Sequence, residues 1–198
     1  MESFAGVCIL GAGAAGLTAG AEAAARGLRV AVLDHGPRAA RKVLVSGGGR
    51  CNLTNARVGP GDYLSENPHF CKSALAGFRP ADMLARFAAR GLEFRDEDRG
   101  RLFCVQGAPA VARAMEDMCR EAGASVLLGR TGLAVERLAP GRADGARFRV
   151  ATDQEALACR SLVVALGGPA WPGAGATSRG LDLAREMGLA VVPPRPAL

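Results

Sequence analysis

The chain has 198 residues, of which 49% are hydrophobic and 22% charged, and its formal net charge is +6 at pH 7. This length allows one substantial domain, and the apolar fraction excludes an intrinsically disordered chain. The arginines are interspersed with acidic residues and lack the interleaved aromatic residues of RNA- and DNA-binding modules, so the composition predicts no nucleic-acid partner.

The first residues and the cysteines bear on localisation. Residues 1–4 lack the basic region of a signal peptide, and glycines interrupt the apolar stretch that follows, which argues against a membrane span. The six cysteines are never spaced as CxxC, so the sequence predicts no redox motif and no metal site. We therefore expect a cytoplasmic protein with reduced thiols and no membrane partner.

Residues 7–34 carry the strongest local pattern in the chain. An apolar run at 7–10 leads into GAGAAG at 11–16, an alanine-rich segment follows, and Gly27 ends it. A second apolar run at 30–33 then ends on Asp34. Strand, tight turn, helix, second strand and acid together form the dinucleotide-binding fingerprint, although a purely structural βαβ turn is the alternative.

Each part of the fingerprint has a physical purpose. Gly11 allows the sharp turn, Gly13 lets a pyrophosphate approach the backbone, and Gly16 lets the helix pack closely on the sheet. The unpaired N–H groups at the helix start favour phosphate. Asp34 would bind ribose hydroxyls and repel a 2′-phosphate, which favours FAD or NAD over NADP at this site.

A second glycine-rich run, RKVLVSGGGRCNLTN, spans residues 41–55. Its three consecutive glycines and polar neighbours supply exposed N–H groups and side-chain donors, whereas a flexible surface loop is the alternative. The basic residues around this run are interpreted as facing cofactor phosphates: Arg38, Arg41, Lys42 and Arg50.

The rest of the chain alternates helices and strands. Apolar stripes predict helices from Pro80 to Gly91 and from Pro109 to Ala122, and a charged run predicts a solvated turn at 95–99. Ser125–Leu128 is predicted as a short strand. Further expected elements are short antiparallel strands over 133–159, a central strand at 162–166, a helix at 181–187 and a strand at 189–192. This pattern predicts an α/β fold with a parallel sheet covered by helices.

The GAGAAG turn, the RKVLVSGGGRCNLTN run and the later VVALGGPAWPGAGAT and PPRPAL stretches resemble the BaiN/YhiN-type family of NAD(P)/FAD-dependent flavoproteins. The resemblance implies a Rossmann-like FAD-binding fold with a three-stranded antiparallel excursion. It also implies NAD(P)H-dependent reduction of a carbon–carbon double bond conjugated to a ketone. The implied partners are NAD(P)H and an unknown small-molecule substrate; no oligomeric state is implied.

The fingerprint and the resemblance together give a set of expected FAD contacts. In the second glycine run and beyond the antiparallel strands, the assignments rest on the resemblance, which also implies that the backbone of Val135 meets the adenine; no catalytic residue is named. The expected contacts are Gly11, Gly13, Ala14, Ala15, Gly16, Asp34, His35, Arg41, Lys42, Ser46, Gly48, Gly49, Arg50, Cys51, Asn52, Thr54, Val135, Ala165, Gly167 and Gly168.

The chain also departs from the family pattern. Leu166 replaces a threonine, and Ser178 and Arg179 stand where relatives have glycine and aspartate. Relatives are about twice as long, which implies an FAD-binding domain over 1–192 and the start of a linker to a substrate domain at 193–198. A non-catalytic FAD or NAD module and an NAD-dependent dehydrogenase fragment remain alternatives.

Overall fold

The computed structural model describes residues 3–195, so residues 196–198 of the expected linker lie outside it. The chain forms two compact units. The first comprises the residues up to Arg41 and those from Met115 onward, and the second is Lys42–Ala114. In chain order the helices and strands are β1 (Ser3–Leu10), α1 (Ala14–Ala24), β2 (Val30–Leu33), α2 (Arg41–Val45), β3 (Asn52–Asn55), α3 (Lys72–Gly77), α4 (Pro80–Ala88), β4 (Phe94–Asp98), β5 (Arg101–Cys104), α5 (Ala108–Glu121), β6 (Ser125–Leu127), β7 (Ala134–Arg137), β8 (Phe148–Ala151), β9 (Ala156–Val164) and α6 (Arg179–Glu186).

The first unit is built on a six-stranded sheet of order β6-β2-β1-β9-β8-β7. Its first four strands are parallel, and β2 is buried along its whole length, as a central strand covered on both faces should be. The connection from β1 to β2 runs through α1, and Gly20 of α1 lies so close to the sheet that a Cβ would approach Val32 Cγ2 to 3.0 Å. The predicted βαβ unit is therefore confirmed.

The antiparallel excursion joins the parallel sheet through a single strand. β7 pairs with β8 and β8 with β9, both antiparallel, while β9 pairs with β1 in parallel from Ser3↔Leu157 to Leu10↔Val164. The sequence predicted a separate central strand at 162–166. One strand forms instead, because no glycine or proline interrupts the run from Ala156 to Val164.

The second unit contains a three-stranded antiparallel sheet of order β3-β5-β4. The prediction of a solvated turn at 95–99 is wrong, because Phe94–Asp98 forms the edge strand β4, paired with β5. Charged side chains suit an exposed edge, since they discourage pairing with another chain.

In the glycine-rich run, Arg41–Val45 is a short helix, and Ser46–Gly49 is a 3-10 turn in which Gly47 and Gly48 have φ of 56° and 67°.

The expected strand at 189–192 is also absent from the described residues. Leu189 N donates to Ala184 O at 2.9 Å and Gly188 has φ of 77°, so these residues close the C-terminal end of α6.

All six cysteines are buried free thiols. Within residues 3–195, none of the helices has both the length and the apolar character needed to cross a bilayer.

Candidate nucleotide-binding site

The glycine-rich turn after β1 is closed by backbone contacts that exclude side chains. Gly11 has φ of 104°, and a Cβ there would lie 2.4 Å from Ala165 O. A Cβ on Gly16 would lie 1.8 Å from Gly11 O. Both positions therefore require glycine, the first for its conformation and the second for its close approach to the turn.

Gly13, by contrast, faces open space. A Cβ built there meets nothing within 4 Å, and the neighbouring Ala14 and Ala15 are exposed. Gly13 has no side chain with which to cap α1, and the first turn of α1 has no acidic residue. The first amides of the helix and its positive dipole end are thus available to an anion, as a diphosphate site requires.

Asp34, directly after β2, is held against this turn. Its Oδ2 accepts a hydrogen bond from Ala12 N at 2.8 Å, and its Oδ1 accepts one from Gly36 N at 2.7 Å. The Asp34 side chain is only 11% exposed. These bonds fix the carboxylate between the two strand ends, where Oδ2 keeps a lone pair for a ribose hydroxyl.

Arg41 lies beside this carboxylate. Its Nη2 is 3.4 Å from Asp34 Oδ1 and 2.8 Å from His35 Nε2. Two glycines make room for the guanidinium, since a Cβ on Gly36 would be 2.4 Å from Arg41 Nε and one on Gly175 would be 1.9 Å from Nη1. The structure therefore brings the predicted residues Asp34, His35 and Arg41 together.

A cleft of about 370 Å³ opens next to Asp34 at the carboxyl ends of the parallel strands. It adjoins the ends of β1 and β2 and the residues that follow β9, and ligands of open α/β sheets bind outside the carboxyl ends of the strands. The lining residues are Leu10, Leu33, Asp34, His35, Arg130, Thr131, Gly132, Leu133, Thr152, Leu166, Thr177 and Arg179.

The wall at 130–133 was not predicted as part of the site. It is tied to β2 because Arg130 N donates to Asp34 O at 2.8 Å. Two hydrogen bonds join Thr131 and Asp153: Thr131 N donates to Asp153 Oδ1, and Asp153 N donates to Thr131 O, both at 2.9 Å. The hydrogen bond from Thr131 lowers the pKa of Asp153.

Three predicted contacts follow β9 at the same edge of the sheet. Ala165 N donates to Leu10 O at 2.8 Å, which places Ala165 against the glycine turn. Gly167 has φ of 73°, and Gly168 is half-buried. Val135 lies in β7 opposite Val150 and packs against the core, and it is not among the residues that line the cleft. Its predicted contact with adenine stays a prediction.

The other predicted residues lie in the second unit and form a group of their own. Arg50 stacks over Phe103 with 4.5 Å from Cζ to the ring centroid and forms an ion pair with Glu97. Cys51 is 2% exposed, and burial raises the pKa of its thiol. The remaining members are Lys42 in α2, Ser46, Gly48 and Gly49 in the glycine turn, and Asn52 and Thr54 in β3. Their contacts with a flavin stay predictions.

Known proteins match along the chain. The family described as "HI0933-like protein Rossmann domain" matches residues 5–195. A ribosomal RNA dihydrouridine synthase of Haemophilus influenzae is 40% identical over 198 residues, which are 100% of this chain and 49% of that protein. A 3-dehydro-bile acid delta(4,6)-reductase of Clostridium scindens is 34% identical over 197 residues, covering 96% of this chain and 46% of the relative. The chain therefore spans about half the length of these relatives.

A solved structure shares the fold. The 3-ketosteroid-delta4-(5alpha)-dehydrogenase of Rhodococcus jostii superposes with a TM-score of 0.58 over 85% of this chain and 47% of that one, at 14% identity. The sheet, the glycine turn and the acid after β2 define a Rossmann-type FAD-binding domain of a flavoprotein, and the open space at Gly13 fits this cofactor. The chain belongs to the HI0933-like Rossmann domain family, which confirms the resemblance drawn from its motifs.

Proposed function

We propose that this chain is the FAD-binding part of an oxidoreductase that reduces a carbon–carbon double bond conjugated to a carbonyl group, with NAD(P)H as hydride source. One observation carries the proposal: the names of two relatives describe different substrates, but both names describe the reduction of a carbon–carbon double bond. Uracil contains a carbon–carbon double bond conjugated to its ring carbonyl, and the double bonds of a 3-oxo-4,6-diene steroid are conjugated to its ketone.

Uridine in ribosomal RNA is the substrate that we favour. The relative with that name is 40% identical, against 34% for the bile-acid reductase. The formal charge of +6 also suits a polyanionic substrate, because basic residues release counterions from the phosphate backbone. This proposal replaces the expectation of no nucleic-acid partner and keeps the expectation of a cytoplasmic protein.

The proposed roles of the residues follow from their positions. The amides at the start of α1, left open by Gly13, bind the diphosphate, and Asp34 binds the ribose of the adenosine half. Arg41 limits the negative charge around Asp34. When bound, FAD supplies hydride transfer between NAD(P)H and the electron-poor carbon of the substrate.

The test uses the purified protein with FAD, NADPH or NADH, and unmodified ribosomal RNA transcripts. Because the cofactor delivers hydride, we expect uridine to gain two hydrogen atoms. Mass spectrometry of the digested nucleosides would detect this gain as an increase of about 2 Da. Reactions without nicotinamide and with Gly13→Val protein are the controls. If NAD(P)H fails to bleach the flavin absorbance, the protein is a non-catalytic FAD module.

A second candidate is a small conjugated ketone, which the Clostridium scindens relative favours. The same assay with a 3-oxo-4,6-diene steroid in place of RNA separates the two. Loss of the dienone absorbance with steroid and unchanged uridine with RNA would assign the small-molecule reaction instead.

A further inference from the structure

Arg179 is the first residue of α6, and its side chain lines the cleft next to Asp34. One end of its guanidinium forms an ion pair with Glu186, and Nη2 donates to Leu133 O at 3.4 Å. The side chain is 31% exposed. A planar cation is thus held by two partners with part of its surface open to the cleft.

Arg179 pairs with Glu186 at the other end of α6, but a cation at the start of this helix is unfavourable for the helix dipole. A cation at a helix N-terminus opposes the positive end of the dipole, whereas Asp182 in the first turn and Arg185 in the last turn follow the favourable pattern. Gly180, the next residue, lies beside Leu166 of the cleft wall, since a Cβ there would be in van der Waals contact with Leu166 Cβ at 3.5 Å. The ion pair with Glu186 accounts for part of this placement, and Arg179 also faces the cleft.

The chemistry of the cleft favours a flat, neutral group near Arg179. Four leucines line it, and both of its arginines are compensated, Arg179 by Glu186 and Arg130 by Glu155. A phosphate would require positive charge without a carboxylate partner. A purine, in contrast, gains from apolar walls and from stacking on a guanidinium plane.

We infer that Arg179 is a positioning residue that stacks on the adenine of the cofactor and makes the cleft selective for the adenosine half of FAD. The inference rests on the FAD site of the proposed function but not on its substrate. Arg179 stands where the sequence departs from the family pattern, so this contact would be a feature of this chain.

Calorimetric titration of the protein, freed of flavin, with ADP and with FMN tests the inference. We expect Arg179→Met to weaken ADP binding about three- to tenfold, the range of a partly exposed cation–π contact, and to leave any FMN affinity unchanged. Arg179→Phe keeps a stacking surface and should bind ADP within about twofold of wild type. Arg185→Met, on the same helix and paired with Asp182, is the matched control. Far-UV circular dichroism confirms that each variant is folded.

Two outcomes would overturn the inference. One is wild-type ADP affinity in a folded Arg179→Met protein. The other is retention by Arg179→Lys together with loss by Arg179→Phe, which would mean that the cation binds a phosphate. Failure of the wild type to bind ADP would remove the FAD site as well, whereas absence of activity on RNA with the expected ADP results would affect the proposed substrate alone.

Discussion

The carboxylate of Asp34 accepts a hydrogen bond from the backbone amide of Ala12, with Oδ2 2.8 Å from N, although 22 positions separate the two residues. This bond joins the end of β2 to the glycine turn after β1. It places an anion that can hold ribose hydroxyls beside amides that can hold phosphate, which is the arrangement that an adenosine diphosphate group requires.

The first prediction concerns this bond. Asp34→Asn should lower the free energy of unfolding by about 1–3 kcal/mol, because an amide group cannot accept both backbone N–H groups as a carboxylate does. FAD affinity should fall about tenfold or more, as expected for a lost charge-assisted hydrogen bond. Urea unfolding and flavin titration measure the two effects.

The control for Asp34 is Asp62→Asn. Asp62 Oδ2 accepts from Gly59 N at 2.8 Å in an exposed turn, so the same change there should leave FAD affinity unaltered. Equal flavin affinity in Asp34→Asn and wild type would contradict the role given to Asp34.

The second prediction separates close packing from open space. Gly16→Ala places a Cβ 1.8 Å from Gly11 O and should destabilise the fold by about 3 kcal/mol or more, because backbone cannot yield as a flexible side chain does. Gly77→Ala in α3 meets nothing within 4 Å and should change the melting temperature little. A Gly16→Ala protein as stable as wild type would contradict the geometry of the turn.

The third prediction concerns the second glycine-rich turn. Gly47 and Gly48 both have positive φ, but a Cβ on Gly47 would lie 2.7 Å from the Phe103 ring, whereas one on Gly48 meets nothing within 4 Å. Gly48→Ala should therefore cost about 1–2 kcal/mol from the backbone alone. Gly47→Ala should cost more in denaturant unfolding, and the reverse order would show that Phe103 is not packed there.

The fourth prediction concerns acid stability. The hydrogen bond from Arg142, with a further one from Ala146 N, lowers the pKa of Asp144 to about 2. Because the folded pKa lies below the unfolded value of about 3.9, this contribution is complete above the unfolded pKa and is lost as the pH falls toward the folded one. The stability difference between wild type and Asp144→Asn should thus shrink between about pH 5 and pH 2 in urea titrations. A constant difference would contradict this assignment.

The sequence predicts the βαβ unit well because its signals are local. Apolar runs, a glycine turn and the glycine that ends the helix all lie within residues 7–34. At each of these positions the local backbone conformation requires the residue type that is present. Helices α4 and α5 are predicted to within a few residues for the same reason. The strand β4 was missed, because its charged side chains lie on an exposed edge that only pairing with β5 makes regular.

The cleft was predicted only in part. Thr131, Thr152 and the pair Thr177 and Arg179 come from three separate segments, and no spacing in the sequence indicates that they meet. They meet only in the folded chain: Thr131 follows β6, Thr152 follows β8, and Thr177 and Arg179 lie at the start of α6. Asp34 could be predicted because it closes the fingerprint, whereas the opposite wall depends on tertiary packing.

The most direct test of the FAD assignment is a comparison of flavin retention by wild-type protein and by Gly13→Val. The Cβ of residue 13 would point into open space, so the variant should melt close to the wild-type temperature. It should nevertheless lose the flavin absorbance, because a branched side chain would occupy the position of the diphosphate. Gly61→Val, which also meets nothing within 4 Å, is the control and should retain flavin. A folded Gly13→Val protein that purifies with full flavin occupancy would contradict the account.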